Sequence, residues 1–197
     1  MDALRYRLVG TTWEALLERL RALRFRAAIV GPEGSGKTTL LDTWSPQLEA
    51  AGFRLRRLRL TREQPRFPKG FLGALATQLR PEVLMILDGA ELLSWWAWPR
   101  FKLVSRRAGG LLITSHRAGL LPTLHECRPS LALVDELVSE LVGPLTPEHR
   151  ALNQELYARH QGNVRLVLRT WYDIYAGRPP SDSPRAAQFA AGLQRAH

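Results

Sequence analysis

The sequence predicts an α/β fold, a parallel sheet of five strands flanked by helices, followed by a short all-helical segment. Three observations predict it. Short apolar runs recur along the first two thirds of the chain with helical patterns between them, as in strands joined by crossover helices. Two of those runs, Ala27-Ala28-Ile29-Val30 and Val83-Leu84-Met85-Ile86-Leu87, are apolar without alternation, which suits strands covered on both faces. From about residue 134 the strand signals stop and the pattern turns wholly helical.

Taken in order, Leu8-Val9-Gly10 reads as an extended stretch and a turn. Thr11 or Thr12 then caps a helix with Glu14 in its first turn and Leu16, Leu17, Leu20 and Leu23 as its apolar stripe. The first strand, residues 27–30, runs into Gly31-Pro32-Glu33-Gly34-Ser35-Gly36-Lys37-Thr38, with Thr39 onward opening a helix. This is G-x-x-x-x-G-K-[ST] in a strand–loop–helix context, the phosphate loop of P-loop NTPases. Backbone N–H groups bind a triphosphate in such a loop, so Gly31, Gly34 and Gly36 permit conformations that a Cβ forbids. The helix beginning near Lys37 aims its positive dipole end at the phosphates. Lys37 is expected to reach the β- and γ-phosphates of ATP, and the Thr38 hydroxyl to ligate Mg²⁺. Pro32, Glu33, Ser35 and Thr39 complete the cofactor-binding set.

Ala51-Gly52 ends that helix, and residues 53–60 read as the second strand. Its leucines and arginines alternate at both ends, which marks an edge strand. The arginines form either a face for nucleic acid or an acidic partner, or a solvated edge, the second being favoured. Two prolines make residues 61–69 a loop, and residues 70–79 a short helix stopped by Arg80-Pro81. The third strand ends in Asp88, an acid at the carboxyl end of a buried strand, where Mg²⁺ must be held beside the phosphate loop. Trp95, Trp96 and Trp98 cannot all face one side of a helix. At least one is expected near the surface, as an interface residue or as the margin of aromatic core packing.

Residues 109–117 read as the fourth strand, ending in polar residues. Thr114 or Ser115 is placed to hydrogen-bond the γ-phosphate or the attacking water; His116 is either a general base or an ordinary surface residue. Residues 119–126 read as a short helical stretch and Leu131-Ala132-Leu133 as the fifth strand. Helices follow over residues 135–142, from the Thr146 N-cap with Pro147 at its first position to about residue 160, and over 164–175. Residues 178–184 read as a linker, and the tail after them as frayed or weakly helical.

With 197 residues, 45% hydrophobic and 23% charged, the chain suits one globular domain with a small appendage. No apolar run approaches the ~20 residues of a membrane span, and Met1-Asp2-Ala3-Leu4-Arg5 lacks signal-peptide character, so a cytoplasmic location and no membrane partner are expected. A lone cysteine, Cys127, excludes an internal disulfide. The net charge of +10 favours phosphate backbones. Yet 25 of the 28 basic residues are arginine, which also fits a coding preference, so charge alone leaves nucleic-acid contact open.

Several stations of the chain resemble the AAA+ and STAND group of P-loop ATPases. Leu8-Val9-Gly10 is similar to the group's approach beside the adenine, with Thr11 where an arginine is usual; the resemblance makes Val9 and Gly10 cofactor-binding. Asp88-Gly89-Ala90-Glu91 resembles the Walker B motif of the NACHT branch and implies Glu91 as the water-activating base. Thr114-Ser115-His116-Arg117 resembles sensor 1, and Gly162-Asn163-Val164-Arg165 resembles sensor 2, which would put Arg165 over the γ-phosphate. Arg128, ahead of the expected last strand, stands at the arginine-finger station and would act on a neighbouring subunit. The resemblance implies strand order 5-1-4-3-2, an ATPase core over residues 1–133, a helical lid over 134–177 and a tail over 178–197. It implies Mg²⁺-dependent ATP hydrolysis, slow in the isolated monomer, by a protein that assembles on DNA or on a partner. A slow nucleotide-dependent switch and a small-molecule kinase are the alternatives; the segment over residues 119–129 is too short for a kinase lid.

Overall fold

The computed structural model describes residues 6–176, 178 and 183–195; the opening pentapeptide and most of the expected linker lie outside them. The chain divides into two compact units, one of Met1–Gly31 with Lys37–Cys127 and one of Pro32–Gly36 with Arg128–His197.

The first unit is a five-stranded parallel sheet in the order β2-β3-β4-β1-β5, the expected 5-1-4-3-2 read from the other edge. Its elements are α1 (Trp13–Ala22), β1 (Arg26–Val30), α2 (Lys37–Ala50), β2 (Arg54–Arg59), α3 (Phe71–Gln78), β3 (Val83–Asp88), a 3₁₀ turn at Ala90–Leu92, α4 (Ala97–Ser105), β4 (Gly110–Ser115) and β5 (Thr123–Glu126). Thr12 caps α1, its Oγ1 accepting from the Ala15 N–H. Strand residues alternate between two apolar layers. Leu84 and Ile86 join Leu16, Leu20, Leu40, Leu41 and Trp44 of α1 and α2 on one face. Met85 and Leu87 join Leu75 and Phe101 of α3 and α4 on the other. Both faces are covered, which is why β3 reads as an unbroken apolar run. The arginine-rich β2 pairs only with β3 and stands at the edge. Trp98 stacks on Phe101 and packs against the core, whereas Trp95 and Trp96 are exposed.

One segment departs from expectation. Residues 119–122 are irregular, Thr123–Glu126 is the fifth strand, and Leu131-Ala132-Leu133 opens a helix. The apolar triplet misleads because it opens a helix whose core-facing stripe begins just after it, with Val134, Val138 and Leu141. Ser130 settles the matter locally: its Oγ accepts from the Leu133 N–H and caps the helix. The true strand is short, and Leu124 alone among its residues is buried.

The second unit gathers α5 (Leu131–Val142), α6 (Pro147–Arg159), α7 (Val164–Tyr175) and α8 (Pro184–Arg195) around one apolar cluster. The helix α8 falls in the segment after the linker-like residues. α8 lacks a large apolar stripe, but Ala186 and Ala190 are buried one turn apart and Phe189 meets the Trp171 ring. Ser183 accepts from the Ala186 N–H and donates to Glu155, fixing the start of the helix.

Inside this unit Asn153 is fully buried between two partners. Its Nδ2 donates to Asp135 Oδ1 and its Oδ1 accepts from Trp171 Nε1, each at 2.7 Å. Asn153→Ala would leave the indole N–H buried without an acceptor. An expected loss of about 2–3 kcal/mol would be read as a lowered midpoint in urea unfolding, and an unchanged midpoint would contradict the pairing.

Candidate functional site

The phosphate-loop sequence leaves β1 at Val30, and α2 begins at Lys37 itself. Gly31 is tied to the neighbouring strand through its N–H, which donates to the Ser115 carbonyl at 3.2 Å. Ser115 therefore holds the start of the loop, and its hydroxyl accepts from the Arg117 N–H. Lys37 is 8% exposed, and its Nζ donates to the Gly31 carbonyl at 2.6 Å. An ammonium is rarely buried this deeply; here it lies at the amino end of a helix.

Asp88 ends β3, beside β4, and is the centre of a polar cluster. Thr38 Oγ1 donates to its Oδ2 at 3.0 Å, and Thr114 Oγ1 donates to its Oδ1 at 2.6 Å. Thr114 in turn accepts the Gly89 N–H at 2.9 Å. The buried Thr114 hydroxyl is thus spent on Asp88, which makes it a residue that orients the carboxylate. Arg59, opposite Asp88 in the β2–β3 register, brings its Nε to 3.8 Å from Oδ2. Sequence reading missed Arg59, because within β2 it is one of four similar arginines; only the strand register sets it apart.

Glu91 lies on the 3₁₀ turn just after Asp88. His116 Nε2 is 3.2 Å from its Oε1, while its buried Oε2 has no hydrogen-bond partner. His116, left open between general base and surface residue, is paired with Glu91 and positions it.

Mg²⁺ fits these donors. Thr38 and Asp88 present a hydroxyl and a carboxylate oxygen 3.0 Å apart, close to the edge of about 2.9 Å that adjacent ligands make in octahedral Mg²⁺. No group of three or more His, Cys, Asp or Glu side chains able to hold a metal occurs among the described residues.

The loop residues Pro32–Gly36 cluster with the second unit. The buried Ser35 hydroxyl has no partner, an orphaned donor that an anion in the loop would satisfy. Asn163 caps α7, its Oδ1 accepting from the Leu166 N–H, and its side chain lies against Gly34. Gly34 has φ +74°, and a Cβ there would sit 1.8 Å from Asn163 Oδ1. Gly34→Ala is accordingly expected to weaken ATP binding by about 10-fold or more through left-handed strain plus the clash. In Gly34→Ala/Asn163→Ala the clash is gone and part of the affinity returns. Isothermal titration with ATP measures both; equal losses in the single and double variants would contradict the contact.

Arg165 is exposed on the first turn of α7, two residues beyond Asn163. Arg128 is exposed but follows the last strand instead of preceding it, so its expected station is corrected. Val9 lines a cleft of about 280 Å³ between the N-terminal stretch, α1 and β5, with Thr11, Arg19, His125 and Glu126. Cys127 is buried and meets Tyr6, and burial pushes its thiol up from its ordinary pKa.

The sequence matches no protein-family model and no curated protein. Its fold is similar to those of several solved structures. A point variant of RuvB from Thermotoga maritima superposes with a TM-score of 0.56 at 15% identity, over 93% of this chain and 67% of that one. AMPPCP-bound DnaA of Aquifex aeolicus gives 0.57 at 15% identity, over 93% and 64%. Domain III of the Thermotoga maritima replication initiation protein DnaA gives 0.54 at 15% identity, over 93% and 90%. This chain thus spans about two thirds of the RuvB and Aquifex chains. At such identity the likeness is one of fold alone. No helix among the described residues is long and apolar enough to cross a membrane.

Proposed function

We propose that the chain binds ATP with Mg²⁺ and hydrolyses it, and that hydrolysis is coupled to assembly on DNA or on a protein partner. The observation that carries this reading is the Thr38–Asp88 pair at 3.0 Å, one residue along α2 from the buried Lys37. Loop amides and Lys37 bind the triphosphate, with the Ser35 hydroxyl as a further donor. Thr38 and Asp88 hold the metal, and Thr114 fixes the Asp88 carboxylate. Mg²⁺, when bound, supplies charge neutralisation at the transferred phosphoryl group. Glu91, steadied by His116, orients the attacking water and accepts its proton through the unpartnered Oε2. Arg165 answers the γ-phosphate charge, and Arg128 serves a neighbouring subunit.

Support for the DNA arm comes from the net charge of +10 and from similar folds, one of them a DNA replication initiation factor (TM-score 0.55, 15% identity). An ATPase assay with and without DNA, with particle mass followed in parallel, tests the proposal. Turnover should be slow for the monomer and rise on DNA in a salt-sensitive way. An arginine supplied in trans is worth ~10³–10⁵ in rate. A monomer at full speed would remove the trans role of Arg128. Tight binding without turnover would favour the nucleotide switch, and failure to bind ATP would overturn the reading.

A further inference from the structure

We propose that the face of the first unit formed by Trp95, Trp96 and α4, with α3 beside it, docks single-stranded nucleic acid. A tryptophan left in water forgoes the largest hydrophobic gain any side chain offers. Two adjacent ones do so here: Trp95 is 87% exposed and Trp96 50%. The Arg100 guanidinium lies 5.8 Å from the centroid of the Trp96 ring. Arg100, Lys102 and Arg106 are exposed along α4, and Leu103, between them, is 63% exposed.

Charge names the occupant. From residue 92 to residue 125 the sequence has five lysines and arginines and not one Asp or Glu. Residues 64–81, which hold α3 and the loop before it, are likewise free of acids and carry Arg66, Lys69 and Arg80, all exposed. The two segments adjoin: Phe67 stacks on Phe101, and Arg107 donates to the Ala76 carbonyl. Two adjoining segments that carry cations and no acids select a polyanion. Flat exposed indoles beside those cations select one whose bases are free to stack, which a duplex hides and a single strand offers.

This deepens the DNA arm of the proposed function and rests on it for its biological use, though not for its test. The full chain is titrated against a fluorescein-labelled oligothymidylate of about 30 nucleotides, reading anisotropy and tryptophan emission, and ATP affinity is measured separately. Binding should quench the tryptophans and weaken with salt, with a log–log slope of about −0.7 per neutralised phosphate. Trp95→Ala/Trp96→Ala should bind the oligonucleotide about 10-fold or more weakly, with melting temperature and ATP affinity unchanged. Trp95→Phe/Trp96→Phe should restore most of the binding, since a phenyl ring also stacks. The proposal is overturned if the double alanine variant binds as the wild type does, or if a blunt duplex competes as well as the single strand. It is equally overturned if the double variant loses self-association while its oligonucleotide affinity holds. Should the wild type bind the oligonucleotide as described yet fail to bind ATP, the ATPase reading falls and the docking surface stands.

Discussion

Lys37→Ala is expected to abolish ATP turnover and weaken ATP binding by about 10²-fold or more, the scale on which a charged donor at a phosphoryl group acts. The ammonium is buried at the first position of α2 and rests on the Gly31 carbonyl. It has been desolvated before any ligand arrives, so much of the cost of taking it out of water is met in folding. A phosphate reaching the loop finds the charge in place, which is preorganisation in its simplest form. Because Lys37 stands outside the apolar clusters of the first unit, the ligand-free variant should melt no lower than the wild type. Fluorescent-ATP titration and thermal shift with and without ATP separate the two effects. A variant that still hydrolyses ATP at the wild-type rate would remove the phosphate loop from the mechanism.

Asp88→Asn is expected to leave ATP binding within a few-fold of wild type and to cut hydrolysis by about 10²–10³. The replacement is nearly isosteric, and its amide oxygen still accepts from Thr114 if it takes the Oδ1 position. What it loses is the negative charge that Thr38 and Arg59 now face and that a hard divalent cation requires. Removing metal from the wild type with a chelator should give the same residual rate, and adding a chelator to the variant should change little further. Independence of wild-type turnover from Mg²⁺ would contradict the assignment of Thr38 and Asp88 as ligands.

Much of the sheet was legible in the amino-acid string because burial writes itself there as pattern. Val83–Asp88 is apolar since both faces of β3 are covered, and the arginines of β2 are tolerated since it lies at the edge. Capped helices were equally plain, Thr12 for α1 and Thr146 with Pro147 for α6. Reading failed where short signals competed. Thr123–Glu126 has a single fully buried residue, so its strand character comes from pairing with β1 and not from its composition. α8 packs through Ala186 and Ala190, which carry too little apolar surface to stand out. At the site, the loop, Thr38 and Asp88 were visible as a motif. The Arg59–Asp88 approach, the His116–Glu91 pair and the Asn163–Gly34 contact were not. Each joins residues distant along the chain, and only the folded path brings them together.

The two outermost strands have no further strand beside them among the described residues, and such margins invite other chains to add themselves. On one margin Arg54, Arg56, Arg57 and Arg59 set four cations within six residues. A second copy approaching side by side would bring its own four against them, and the repulsion keeps the sheet finite. Replacing Arg54 and Arg56 with valine would lift that barrier and turn the same strand into a seed for fibrils.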